Sequence, residues 1–146
     1  MSSRSEAIDA WEALYRAQVA VLREIRAEFP EGELSFTEYD VLFNLSRMPD
    51  RAGRIRDLNR RLLLTQPSVS RLLDRLATRG LVTKSGDPND ARGTIITLTD
   101  RGYNEFRRVA VLHGASIARR MAALGSRDLR ELTRITDRLR MSITSE

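Results

Sequence analysis

The chain has 146 residues, 41% hydrophobic and 31% charged, with no apolar run near the roughly 20 residues of a membrane span and no signal-peptide core in its first residues; a folded cytoplasmic protein with no membrane partner is expected. It has no cysteine and one histidine, His113, which excludes disulfides, thiolate chemistry and histidine-rich metal sites, so neither metal nor cofactor is expected. The net charge of +5 is uneven: residues 1–50 carry −5, residues 51–84 carry +7 (eight arginines and Lys84 against Asp57 and Asp74) and residues 85–146 carry +3, which suits the middle third to a polyanion.

The first predicted element is a long helix. Ile8, Trp11, Tyr15, Gln18, Leu22, Ile25 and Phe29 follow one another at steps of three and four, and Pro30-Glu31-Gly32-Glu33 ends the run. Ser35 followed by Glu38 is a capping box opening a second amphipathic helix that carries Phe36, Tyr39, Leu42, Phe43 and Leu45. Residues Met48 to Gly53 read as a loop. A short helix follows from Arg54 to Arg61 or Leu62, with Ile55, Leu58 and Leu62 inward. Thr65 is a good N-cap and Pro67 falls in the first turn of the next helix, where its missing N–H costs nothing. Val69, Leu72, Leu73 and Leu76 form its apolar stripe and Gly80 its stop. Two helices back to back, separated by a few residues, make a helix-turn-helix candidate.

After Gly80 the period changes. Leu81–Ser85 and Thr94–Thr99 read as the strands of a β-hairpin around a long loop, Gly86–Gly93, with Arg92 near its tip. Two further helices close the chain, one carrying Tyr103, Phe106, Ala110, His113, Ile117, Met121 and Leu124, the other Leu129, Leu132, Ile135, Leu139 and Ile143.

The helix that starts at Gln66 has the pattern of a recognition helix. Opposite its apolar stripe lie Pro67, Arg71, Asp74 and Thr78, flanked by Ser68, Ser70 and Arg75. Ser68, Ser70 and Arg71 sit near the N-terminal end, which reaches base edges in a major groove. Gln66 can pair with adenine, Arg71 with guanine, and Arg75 with a base or a phosphate. Lys84 on the first hairpin strand joins the same basic surface. Arg92 in the hairpin loop suits a minor groove, while Asp90 is placed to hold the loop by pairing with Arg92 or a nearby backbone N–H.

The run Ser35–Gly102 resembles the MarR family of winged-helix regulators. The carriers are Thr37-Glu38-Tyr39-Asp40-Val41-Leu42, Arg71-Leu72-Leu73-Asp74-Arg75-Leu76, Arg79-Gly80-Leu81-Val82, and Asp87-Pro88-Asn89-Asp90-Ala91-Arg92-Gly93 followed by Ile96-Thr97-Leu98-Thr99 and Gly102. That family often has two adjacent arginines in its wing. Here Ala91 takes the first position and Arg92 the second. The resemblance implies a mainly α fold: a single domain, 1–146, with a winged helix-turn-helix core at 54–99 and dimerisation helices at 1–33 and 100–146. It also implies a homodimer that binds double-stranded DNA as a transcriptional regulator, commonly a repressor, and is often released by a small aromatic ligand. Trp11, Tyr15, Phe43 and His113 are the expected pocket residues. The apolar stripes of the first and last two helices independently favour a homodimer, because they exceed what a small winged helix can cover.

Two other classes stand beside this reading. A helical dimeric interaction protein could keep the winged fold without an operator. An enzyme has no support in the chain, which lacks a nucleophile elbow, a P-loop and a dinucleotide fingerprint.

Overall fold

The computed structural model describes residues 2–62 and 66–144, with the side chains of residues 66 and 67 also left undescribed. Among the described residues there are six α-helices and one three-stranded antiparallel sheet. They form two compact units, Met1–Ala27 with Gly114–Glu146 and Glu28–His113. None of these helices is long and apolar enough to cross a membrane.

The unit Glu28–His113 holds the apolar core. Helix α2 (Phe36–Ser46) opens with the predicted capping box: Glu38 N–H donates to Ser35 Oγ at 3.1 Å and Ser35 N–H to Glu38 Oε1 at 2.9 Å. The expected loop at Met48–Gly53 is instead a 3-10 turn (Pro49–Arg51) running into a short strand, β1 (Ala52–Arg54). Asp50 and Arg51 both adopt left-handed backbone, with φ of 56° and 54°. The Arg51 guanidinium lies 3.5 Å from the centroid of the Tyr103 ring, a contact that offsets the strain.

Helix α3 (Ile55–Arg61) follows β1 directly, so Arg54 is its N-cap and not its first residue. Helix α4 (Gln66–Thr78) comes next; its expected cap, Thr65, lies outside the described residues. Val69, Leu73 and Leu76 are fully buried against Leu42, Leu45 and Leu58. Burial on that scale contributes about 1.5–3 kcal/mol per side chain. Gly80, at φ +73°, ends the helix, and Leu81 N–H donates to Leu76 O at 3.0 Å.

The hairpin differs most from expectation. Strands β2 (Val82–Asp87) and β3 (Asp90–Leu98) run almost to the turn, leaving only Pro88-Asn89 between them in place of a loop over residues 86–93. The sheet order is β1-β3-β2. Helix α5 (Asp100–Arg120) brings Phe106, Val109 and His113 into this unit's buried set. Gly102 sits where an added Cβ would run into the Leu81 carbonyl oxygen.

In the other unit, helix α1 (Arg4–Ala27) stops two residues short of Phe29, the last residue of the expected stripe. Helix α6 (Ser126–Thr144) buries no residue at all. Its stripe of Leu132, Ile135, Leu139 and Ile143 is exposed, as are Ile8, Trp11 and Tyr15 along α1.

Candidate nucleic-acid interface

The outer face of α4 is polar by construction. The residues that fill the core recur at i, i+3, i+4 and i+7, so the intervening Ser70, Arg71, Asp74, Arg75 and Thr78 face solvent, and all five are exposed. Ser68 is half-buried at the same end; the side chain of Gln66 lies outside the described residues. Among the described residues no acid pairs with Arg71 or Arg75 (nor with the side chain of Arg92). Ser35 and Thr37 at the start of α2 line one cleft with Ser68, Arg71, Leu72 and Arg75. The helix thus presents two free guanidinium groups beside small hydroxyls, the chemistry that reads guanine edges and grips phosphates.

Two buried or half-buried ion pairs hold this face in place. Glu38, after capping α2, accepts a hydrogen bond from Arg79 Nη1 at 2.9 Å, and Arg79 also donates to the Glu33 carbonyl oxygen. That joins the last turn of α4 to the first turn of α2. Next to the turn of the wing, the Asp87 side chain is 1% exposed and its Oδ2 lies 2.6 Å from Arg54 Nε. This is a charge contact more than an aligned hydrogen bond, since that oxygen lacks a well-directed donor. Asp87 Oδ1 accepts the Asn89 N–H at 2.9 Å, which shapes the turn.

Arg92 stands on an irregularity of the wing. Gly86 is paired with Thr94 and Asp87 with Asp90, so Ala91, Arg92 and Gly93 bulge from β3 with no residue opposite them. Asp90 Oδ1 accepts the Arg92 N–H at 3.0 Å, an Asx-type turn that fixes where the arginine leaves the ribbon. Arg54, Arg56 and Arg92 line a common cleft with Asp90 and Thr94. Lys84 has a different setting from the arginines: its Nζ pairs with Asp74 of α4.

Sequence reasoning missed strand β1, the Arg54–Asp87 pair, the Glu38–Arg79 link and Arg56. Three residues, Ala52-Gly53-Arg54, carry no periodicity of their own. The only signal for them was the alternation of β3, which needs a partner on each side.

The expected pocket residues are divided. The Trp11 and Tyr15 rings lie tilted to one another, centroids 5.5 Å apart, on the exposed face of α1. Phe43 and His113 belong to an aromatic cluster in the other unit. His113 meets Tyr39, Phe29 and Phe36 edge-on at 5.0, 5.2 and 5.9 Å, and Phe43 stacks on Tyr39 at 6.4 Å. Burial pushes the His113 imidazole below its ordinary pKa, and its buried Nδ1 has no hydrogen-bond partner among the described residues. Among the described residues, no group of three or more His, Cys, Asp or Glu is arranged to hold a metal ion.

Comparison with known proteins agrees with this geometry. The sequence model of the MarR family matches residues 33–93. The chain is 28% identical over 119 residues to the uncharacterized HTH-type transcriptional regulator YkoM of Bacillus subtilis, a match spanning 81% of this chain and 75% of YkoM. Its fold is similar to that of AbsC, a MarR family transcriptional regulator from Streptomyces coelicolor, with a TM-score of 0.79 at 23% identity over 100% of this chain and 99% of AbsC. It is also similar to Sco3205, a MarR family regulator of the same organism solved in complex with DNA: TM-score 0.77, 22% identity, covering 97% of this chain and 90% of Sco3205.

Proposed function

We propose that the chain is a member of the MarR family of winged-helix, DNA-binding transcriptional regulators, whose sequence model matches residues 33–93, and that it acts in the cytoplasm as a homodimer on a pseudo-palindromic operator, as a repressor. The observation that carries this reading is the outward face of α4, where Ser70, Arg71 and Arg75 stand exposed and, among the described residues, no acid pairs with either guanidinium. Helix α4 enters the major groove with Gln66, Ser68, Ser70 and Arg71 toward base edges and Arg75 toward a base or phosphate. The wing, its bulge held by Asp90, sets Arg92 over the adjoining minor groove. The reading includes no catalysis.

The homodimer is supported by α6, an amphipathic helix that buries nothing within one chain, and by the exposed apolar seam of α1. A second copy is the economical cover for both. The winged core is assigned to residues 54–99 of a domain spanning 1–146, with the pairing surfaces in 1–33 and 100–146. Half-sites are then about one helical turn, roughly 10 bp, apart. A small aromatic effector is assigned to the Phe43–His113 cluster, where the unpartnered imidazole nitrogen is a ready hydrogen-bonding group among rings. Trp11 and Tyr15 are assigned to the pairing surface.

Footprinting on the DNA flanking the protein's own gene tests the reading. A protected two-fold symmetric site is expected, with log K falling at about 0.9 per phosphate neutralised as log salt rises. Absence of protection even at low salt would leave the winged fold as an interaction module.

A further inference from the structure

Lys84 is the only lysine in a chain with 24 arginines, and the strand register puts it on the inner face of the wing. Opposite residues of an antiparallel pair share a face, and successive residues alternate. Val82 stands opposite Leu98 and Lys84 opposite Ile96, and Val82, Leu98 and Ile96 are all buried. Lys84 therefore lies on the inner face of the wing, where β2 meets α4. Its side chain is 30% exposed. The ammonium emerges at Asp74, on the exposed face of α4, and pairs with Oδ1 of its carboxylate.

Asp74 is the one acid on that face. It lies three residues after Arg71, the spacing at which an aspartate and an arginine on a helix can pair, yet it pairs with Lys84 and Arg71 stays free. We propose that Lys84 is a positioning residue of the DNA-binding surface and not a phosphate contact. It ties the wing to the recognition helix, draws the Asp74 carboxylate away from Arg71, and cancels a charge that would repel phosphates. Lysine suits this role, because a compact ammonium on a flexible stem reaches one carboxylate without a fork of further donors. The inference rests on the DNA-binding reading above.

The test compares the full-length wild type with two double variants on two short duplexes, one selected by the wild type from a random pool and one of unselected sequence. In the first variant, Asp74→Asn with Lys84→Met, the pair is neutral and the net charge unchanged. Its salt slope should equal the wild type's, because no phosphate contact is lost, and its preference for the selected duplex should fall about two- to fivefold, the range an exposed ion pair supports. In the second, Asp74→Lys with Lys84→Asp, the reversed pair should restore the preference. A slope shallower by about 0.9 per protomer means that Lys84 neutralises a phosphate and overturns the proposal. An unchanged preference in the neutral variant, or a lowered one in the reversed variant, overturns it equally. A wild type that binds neither duplex defeats the DNA-binding reading itself, an outcome visible before either variant is measured.

Discussion

Removing Arg54 leaves the Asp87 carboxylate stranded beside the turn of the wing. Arg54→Ala strips the cation from a side chain that is 1% exposed. One hydrogen bond, from the Asn89 N–H, remains to it. Breaking a buried pair from one side costs 3–5 kcal/mol, and the surviving bond places this case at the lower end, about 3 kcal/mol. Asp87→Ala is milder. It leaves Arg54, whose side chain is 33% exposed and reaches water, so the cost is the lost charge-assisted contact and the orphaned Asn89 amide, about 2 kcal/mol. Removing both charges with Arg54→Met and Asp87→Asn should cost about 1 kcal/mol, since neither ion is then left alone. At about 2–4 °C per kcal/mol for a chain of this size, Arg54→Ala lowers Tm by roughly 6–12 °C. Urea unfolding gives the three values, at one fixed protein concentration because the proposed self-association would add to apparent stability. If Arg54→Ala is no worse than Asp87→Ala, the carboxylate reaches water and the argument from burial fails.

Four further outcomes follow from the same structure. Gly102→Ala drives a Cβ into the Leu81 carbonyl oxygen at the start of α5; it should cost at least about 2 kcal/mol by thermal unfolding, whereas a merely flexible glycine would tolerate alanine. Arg71→Ala should relax discrimination at one base position by about 1–3 kcal/mol, read from a panel of single-substitution duplexes, and a uniform loss across the panel would reassign it to a phosphate. Leu139→Glu, on the exposed α6 stripe, should convert the proposed dimer to monomer in sedimentation velocity; an unchanged sedimentation coefficient removes α6 from the proposed pairing surface. For His113, burial lowers the folded-state pKa, so below about pH 6.5 the unfolded chain binds a proton that the folded chain refuses. Stability is full above that pH and declines as the pH falls. Tm should therefore drop more for the wild type than for His113→Gln between about pH 7.5 and about pH 5.5, and parallel profiles would count against it.

Much of the wing and its helices was legible because local rules suffice for them. The Ser35–Glu38 box, the stripe from Val69 to Leu76 and the glycine stop at Gly80 each lie within a few residues of chain, and hydrogen-bond geometry makes them self-contained. The exposed face of α4 came with the stripe, since a helix that buries one side presents the other. The wing was harder: Gly86, Pro88, Asn89 and Gly93 signal a turn, but composition does not say how far pairing continues into it. The strands run on to Asp87 and Asp90 because Asp87 is buried and braced by Arg54, 33 residues earlier in the chain.

The amino-acid order alone determined that the helices form and in what sequence, which side of each is apolar, and that the middle third is rich in arginine, because these depend on neighbours within one or two turns. The helix ends shifted by a few residues, as at Ala27 and Arg120. The pairing of charges was decided only in three dimensions. Nothing in the order of residues says that Lys84 turns inward to Asp74, that Asp87 claims Arg54, or that Glu38 serves both Ser35 and Arg79. Those choices follow from strand register and helix packing, which bring together groups that the chain keeps far apart, and they determine which arginines are left without an acidic partner among the described residues.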